Sequence, residues 1–503
     1  MNKIIFRKFS NLSNGFFITT PIYYVNASPH LGHLYTSLIA DTINRFEKLT
    51  ATHSDYIFST GTDEHGEKVL RAAKQNNSSV TEYCKNISEK YKSLFRKCDI
   101  EFTDYVRTTE DRHSKAVTSF WSTLVNNKAI YKADYSGWYC VPDETFLTES
   151  QLITDNSGKK FSLESGHPVE WTSEENYMFK LSKYQDEIIY WARQDNRVIP
   201  TKFNKILLDM LYQEILPDLS VSRPSTRMSW GISVPNDDSQ NIYVWLDALV
   251  NYLTVAGYPD QLRLWPPNVQ VIGKDILKFH GIYWPAFLIA ANINSLPEQL
   301  LVHSHWTVEG QKMSKSKMNV IDPNERASLY TMEGIRYFLL REGTFHNDGN
   351  YSDTKITRIL NSELADTMGN LLSRACAKSL NPKQQFPQVH QDQLSELIKL
   401  DSCKMLFEKL SEMPDKCRQH YTEYNFHFVV DTIMSTLHAA NGFFETTKPW
   451  LLKNSVDKSQ QKRLETIIAI TFECLRICGI ALQPIVPSYM KFNKKLRLDS
   501  GCR

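Results

Sequence analysis

The sequence predicts an α/β protein: a doubly wound parallel sheet with an inserted subdomain, then an all-α C-terminal helical bundle. Three observations carry this. Two short apolar runs, 16–20 and 55–59, flank a helical pattern over 31–49; strand, helix and strand within about 45 residues make a βαβ unit with parallel strands. Residues 131–180 are rich in Tyr, Trp, Gly, Ser and Thr in short alternating runs, as in small β structure. From about 360 to 490 the apolar spacing is helical throughout.

Each element has its own signal. The first strand is expected to end at Pro21, which has no N–H to donate. The first helix carries Leu34, Leu38, Ile39, Ile43 and Phe46 at helical spacing. The second strand is expected to close in a turn at Gly61. Residues 68–130 and 180–215 read as helical. The sheet returns from Asn241, with apolar strands at 269–273 and 300–304. Prolines near 382–387, at 414 and at 449 are expected to break the C-terminal helices, and Lys491, Lys494, Lys495 and Arg497 make a basic tail.

Composition narrows the class. At roughly 150 residues per domain the chain predicts about three domains. Hydrophobic residues at 42% and charged residues at 23% argue against a disordered chain, and no apolar run is long enough to span a membrane. The net charge of +2 is too small for a minor DNA-binding module but allows an enzyme that holds RNA through a local patch. The 9 cysteines are scattered and form no Cys-x-x-Cys pair, which argues against a disulfide scaffold and for a reducing compartment. The N-terminus carries Lys3, Arg7, Lys8, Ser10 and Ser13, with no acidic residue before Asp41. That is the composition of an organelle transit segment, the alternative being an ordinary polar terminus.

Two constellations carry chemistry. Pro29-His30-Leu31-Gly32-His33 falls where the first strand hands over to a helix, whose N-terminus favours anions. Gly32 lets a flat ligand approach, and two imidazoles can donate to phosphate oxygens. Taken alone, the pair reads equally as solvent-facing or metal-type histidines. Lys312-Met-Ser-Lys-Ser316 is a cationic loop able to clamp a triphosphate, or simply a solvated basic loop. His303 and His305 read as structural.

Together, in this order, the two motifs resemble the paired signature of class I aminoacyl-tRNA synthetases. Further runs resemble methionyl-tRNA synthetases of the bacterial and mitochondrial branch. These are Thr19-Thr-Pro-Ile-Tyr-Tyr-Val-Asn26, Gly61-Thr-Asp-Glu-His-Gly66, Val244-Trp-Leu-Asp-Ala248, Gly273-Lys-Asp-Ile276 with Phe279-His280, and Asp348-Gly-Asn-Tyr-Ser352. The resemblance runs from about Phe16 to beyond Trp450.

It implies ligation of L-methionine to tRNA(Met) with ATP and Mg²⁺, through a methionyl-adenylate. It implies catalytic roles for His30, His33, Lys312 and Lys315, and ATP contacts at Gly32, Gly273, Asp275, Lys312 and Lys315. Asp63 is the expected partner of the substrate ammonium, with His65 as its support. Ile22, Tyr24, Trp245, Ala248, Tyr252, Phe279 and His280 are expected around the side chain, since a thioether prefers aromatic walls. Asn370, Arg374 and Trp450 are expected at the anticodon, where aromatic stacking and edge readout recognise unstacked bases; the other reading of Trp450 is bundle core.

The resemblance also implies a layout. A possible transit segment spans 1–14, and a Rossmann-like catalytic domain spans 15–110 and 241–305. A connective insertion occupies 111–240, a KMSKS-loop connector 306–358 and an anticodon-binding helical domain 359–503. Many family members carry zinc knuckles in the insertion. With Cys140 as the one cysteine of 131–180, no zinc is expected, and Trp138, Tyr139, Phe146, Phe161 and Trp171 are expected to hold the knuckle by packing. The insertion is also too short for a separate editing domain of the isoleucine or valine type. A monomer in the mitochondrial matrix is expected, with a bacterial-type cytoplasm as the alternative. The competing functions are a class I synthetase for leucine or cysteine, a non-catalytic tRNA-binding paralogue, and a small nucleotidyltransferase.

Overall fold

Six strands among the described residues form one all-parallel sheet, and their order sets where a ligand can sit. The computed structural model describes residues 15–140, 145–147, 149–163, 165–213, 215–313 and 319–490. The transit-type segment, Lys315 and the basic tail lie outside them. The chain divides into two units. One runs to Pro29 and takes in His53–Ser93 and Glu101–His303; the other takes in His30–Thr52, Leu94–Ile100 and the chain from Ser304.

In chain order the strands used below are β1 (Phe16–Tyr24), β2 (Tyr56–Asp63), β3 (Asp104–Arg107), β4 (Ile130–Cys140), β5 (Glu170–Phe179), β6 (Val198–Ile199), β7 (Val269–Gly273), β8 (Leu300–His303), β9 (Trp306–Val308) and β10 (Gln311–Lys312). The helices are α1 (Leu31–Thr50), α2 (Asp111–Asn126), α3 (Val244–Leu249), α4 (Met332–Glu342), α5 (Asn370–Ala375), α6 (Asp401–Thr422), α7 (Phe426–Thr447) and α8 (Lys458–Leu482).

The sheet of the first unit runs β3-β2-β1-β7-β8-β6. The order reverses between β1 and β7, and in such sheets ligands gather outside the carboxyl ends of the strands at that switch point. The strands are apolar on both faces: Phe17, Ile18, Phe58, Val271, Ile272, Leu301 and Val302 are buried. The core also draws on α2 and on residues 181–216, so it does not divide at residues 111 and 241.

Pro21 does not end β1. The ladder to β2 shifts register between Thr19 and Ile22, and the strand continues to Tyr24. A bulge absorbs the missing donor, while Thr20 Oγ1 donates to Thr60 Oγ1 at 2.7 Å. Gly61 is not the turn either. It lies inside β2, where a Cβ would come within 2.0 Å of the Val106 carbonyl oxygen of β3. β3 and β6 sit in stretches that read as helical; both are too short for a period-2 pattern to emerge.

The insertion is a long antiparallel ladder of β4 and β5, from Ile130 opposite Phe179 to Tyr139 opposite Glu170. At its far end Trp138 meets Trp171 edge-on at 5.3 Å, and Tyr139 meets Phe146 at 4.9 Å. Trp171 is 60% exposed, so it shields Trp138 rather than joining a core. Cys140 is buried at the end of β4, paired across the ladder with Thr145. Among the described residues no group of three or more His, Cys, Asp or Glu is placed to hold a metal ion.

Among its described residues the second unit is helical apart from the small sheet that holds β9 and β10. Pro414 lies within α6 without breaking it. An interior proline costs about 3 kcal/mol. Burial of Leu406, Met413, Cys417 and Tyr421 along the same helix offsets it. Pro449 opens a short turn, Pro449–Leu451, as expected of a residue suited to a first helical position. No described helix is long and apolar enough to cross a membrane.

A fully buried arginine ties this unit together. Arg336 of α4 donates to Asp41 Oδ2 of α1 at 2.7 Å, to Cys98 O at 2.8 Å, to Ile485 O at 3.0 Å and to Pro484 O at 3.2 Å. Asp41 also accepts from Arg45 at 2.7 Å. Removing the guanidinium leaves Asp41 with Arg45 alone and takes a donor from three carbonyls in a low-dielectric interior. Arg336→Met should therefore lower stability by about 3–5 kcal/mol, and adding Asp41→Leu should recover part of the loss, as measured by urea unfolding.

Candidate functional site

The first unit gathers most of the expected substrate residues at the switch point. The last pairs of the β1–β2 ladder set Ile22 opposite Gly61 and Tyr24 opposite Asp63. Asp63, the final residue of β2, is buried, and its carbonyl accepts from Val25 N at 3.0 Å. Gly273 ends β7, and the exposed Asp275 follows in a short turn, Lys274–Ile276.

α3 shows the half-buried Trp245 and Ala248, three apart, on one face. Trp245 meets Phe279 edge-on at 4.6 Å and lies 6.0 Å from Tyr283. Tyr24 and Trp245 both pack on a cluster of Met228, Tyr243 and Val244. Phe279 and His280 belong to a π-helical turn, Phe279–Tyr283, whose extra residue per turn shifts the directions of the side chains.

His280 and Tyr252 are buried together. A carbonyl can only accept, so His280 Nδ1–H donates to Ile276 O at 3.0 Å. Nε2 is then the acceptor, and the Tyr252 hydroxyl donates to it at 2.7 Å. Burial pushes the His280 pKa down to about 4 despite the Ile276 bond and Asp275. Burial pushes the Tyr252 phenol up. Both groups are neutral at pH 7. The result is an uncharged aromatic cluster in the same unit as Asp63, chemically suited to border an apolar, polarizable side chain.

Several residues here escaped the motif reading. Glu64, fully buried, accepts from Arg107 Nε and Nη2 at 2.7 and 2.9 Å, from Thr109 Oγ1 at 2.6 Å and from Thr62 Oγ1 at 2.8 Å. Its carbonyl accepts from Trp230 Nε1 at 2.6 Å. Arg223 is buried with its guanidinium 4.0 Å from the Tyr243 ring centre and 5.2 Å from that of Phe146. Arg227, with Glu67, Tyr139, Glu170 and Thr226, lines a cleft of about 430 Å³. The one sequence signal was Glu64 inside the Asp-Glu-His run; nothing in sequence pairs it with Arg107.

The second unit holds the signature helix. His30 is the N-cap of α1. Its Nδ1 accepts from Gly32 N at 3.0 Å, and its own N–H donates to His33 Nδ1 at 3.2 Å. The two rings stack at 3.8 Å. A Cβ on Gly32 would lie 2.9 Å from His30 Cε1, so the ring can fold back only over glycine. Because both Nδ1 atoms accept, each neutral imidazole carries its proton on Nε2, as a donor for an anion. Lys312 ends β10, which pairs antiparallel with β9.

The same unit brings two expected anticodon residues together. The Arg374 guanidinium lies 5.4 Å from the Trp450 ring centre and 4.9 Å from that of Phe444, and it pairs with Glu445 at 2.6 Å. Asn370 is exposed one turn earlier on α5. Trp450 is half-buried, between the core and stacking alternatives.

Comparisons with known proteins identify the family. Residues 16–376 match the family described as tRNA synthetases class I (M). A mitochondrial methionine–tRNA ligase of Takifugu rubripes is 48% identical over 491 residues, 95% of this chain and 82% of that protein. A methionine–tRNA ligase of Rickettsia bellii is 41% identical over 484 residues, 95% of this chain and 91% of that protein. The solved structure of Mycobacterium tuberculosis methionyl-tRNA synthetase in complex with methionyl-adenylate has a TM-score of 0.89 at 35% identity, covering 96% of this chain and 94% of that one. The chain belongs to the class I tRNA synthetases and, within them, to the methionyl-tRNA synthetase family.

His280 makes a pH prediction. Its folded pKa of about 4 lies below the ordinary value of 6.5. Between these values the unfolded chain takes the proton and the folded chain does not, so stability falls on acidification. The contribution is whole above pH 6.5 and reduced by about 2 kcal/mol at pH 5. The wild-type minus His280→Gln stability difference should follow that curve in urea unfolding at pH 7.5 and pH 5.

Proposed function

We propose that the two steps of methionine charging are divided among these residues by their chemistry. The family reaction is ATP-dependent ligation of methionine to tRNA. The neutral aromatic cluster of Trp245, Phe279, Tyr252 and His280 carries the assignment to methionine. It favours an uncharged thioether and disfavours any charged side chain, since a charge there would be desolvated without a partner. Asp63 neutralises the ammonium. Ile22, Tyr24 and Ala248 complete the walls.

In the first step the methionine carboxylate oxygen attacks the α-phosphorus of ATP. The bond from the α-phosphorus to the bridging oxygen breaks, and pyrophosphate leaves with that oxygen. No protein nucleophile is required, so the residues position substrates and spread charge. His30 and His33 donate Nε2–H to phosphate oxygens, and Lys312 and Lys315 supply positive charge. Gly32 and Gly273 allow close approach, and Asp275 accepts from the ribose. Mg²⁺, carried on the phosphates, supplies further neutralisation when bound. In the second step a ribose hydroxyl of the tRNA terminus attacks the activated carbonyl, and AMP leaves.

Asn370, Arg374 and Trp450 are the proposed anticodon readers. Arg374 already stacks on Trp450, so an unstacked base would extend an existing cation–π pair. We assign 306–358 to the loop connector and 359–503 to anticodon binding. Matrix localisation is supported by the acid-poor N-terminus and by mitochondrial relatives, although Rickettsia relatives are similar too.

Pyrophosphate exchange tests the core of this reading: methionine alone among the twenty amino acids should drive it. Lys315→Ala should lower the exchange rate by roughly two orders of magnitude while methionine binding by calorimetry stays within about twofold. Exchange driven by another amino acid would overturn the pocket assignment. Trp450→Ala should reduce tRNA charging by about 10- to 100-fold, the worth of one base stack, and leave exchange intact. Loss of both activities would make Trp450 structural.

A further inference from the structure

Three segments distant in sequence converge on one carboxylate in the first unit. Asp247 of α3 is fully buried. His65 Nδ1 donates to its Oδ2 at 2.7 Å, and His113 Nε2 of α2 donates to its Oδ1 at 2.8 Å. The far side of His113 is held too, with Nδ1 2.9 Å from Thr254 Oγ1. A carboxylate this deep needs such partners. Burial alone would raise its pKa, but His65 and His113 hold it at about 2, so it is ionised at neutral pH and accepts strongly from both rings.

The neighbours of this group give it a role. His65 stands two residues beyond Asp63, and the next residue, Gly66, donates its N–H to Trp230 O at 3.0 Å. Asp247 stands between Trp245 and Ala248, the two wall residues of α3. The carboxylate therefore joins the turn that carries the ammonium partner to the helix that carries the side-chain wall. In the reading given above β2 supplies the ammonium partner and α3 the side-chain wall, so their spacing bears on the length of amino acid accepted.

We propose that Asp247 is a positioning residue for methionine activation: by holding His65 and His113 it sets the spacing between Asp63 and the Trp245–Ala248 wall, and so the side-chain length accepted. This rests on the reading of Asp63 and the wall given above. Asp247 itself touches no substrate. Loosening it should weaken methionine binding and blur discrimination by length. It should leave ATP handling alone, because the signature residues His30, His33 and Lys312 are not part of this network.

The test is pyrophosphate exchange with methionine and with ethionine, one methylene longer, by the full-length enzyme. Asp247→Asn keeps the shape but can accept from only one ring. Its KM for methionine should rise about tenfold, with KM for ATP within about twofold of wild type. Its preference for methionine over ethionine, a discrimination of about 10- to 200-fold for one methylene, should shrink severalfold. His65→Leu should reproduce this, and His65→Asn, which restores a donor near the Nδ1 position, should recover most of the wild-type preference. Unchanged methionine KM and preference in Asp247→Asn would overturn the proposal. So would a fall in kcat alone with the preference intact, which is the signature of a merely structural role. If Asp247→Asn does not fold, the two His65 variants decide: equal preference in both overturns it. Asp63→Asn separates this from the underlying reading. Wild-type methionine KM in Asp63→Asn sinks the site assignment, whereas a large rise there with a silent Asp247→Asn sinks the positioning role only.

Discussion

The bond set around Glu64 is the constraint on which the candidate site depends. A parallel sheet ends its strands in turns, and a turn buried beside a ligand site carries polar groups that water cannot reach. Here the turn after β2 is anchored on every side. The Glu64 carboxylate is gripped by Arg107 of the next strand and by two threonines, and its carbonyl by the Trp230 indole. Bidentate geometry restricts rotation as well as distance. Asp63 precedes this anchor and His65 follows it, so one buried ion pair orients both a candidate substrate ligand and the network around Asp247.

The second unit uses the same device on another scale. The helix that displays His30 and His33 carries Asp41 three turns further on, and Arg336 ties that carboxylate to the carbonyls at 98, 484 and 485. A guanidinium offers donors in a fixed fork, so one side chain can satisfy several orphan acceptors that a lysine could not. At the helix start the ordering is local. His30 and His33 cap one another, which selects their Nε2–H tautomers before any substrate arrives. Preorganised donors of this kind need no reorganisation when charge develops on a phosphate.

Much of the architecture was legible because its signals are local. The strands at 269–273 and 300–303, the helix from Leu31 and the β-rich insertion follow from apolar period and turn residues within a few positions of one another. The errors have physical causes of equal clarity. Pro21 was read as a stop because a proline lacks a donor, but a bulge lets the ladder step past it. Pro414 was read as a break, but burial along α6 outweighs one missing bond. Gly61 was read as a turn, but it is glycine because the backbone of β3 runs close beside it. β3 and β6 are too brief to show any period.

The amino-acid sequence by itself determined the family, through two motifs whose order and spacing are covalent facts. It also determined which chemistries were on offer: imidazoles, lysines, aromatic rings and one acidic residue at a strand end. Tertiary structure alone decided how those groups are set. Arg107 meets Glu64, Asp247 meets His65 and His113, and Arg374 meets Trp450 across separations of tens to more than a hundred residues, and no local pattern encodes such pairs. The neutrality of His280 is likewise a product of burial. An isolated imidazole would titrate near pH 6.5; burial outweighs the opposing pull of the Ile276 carbonyl and Asp275 and makes this ring an uncharged wall.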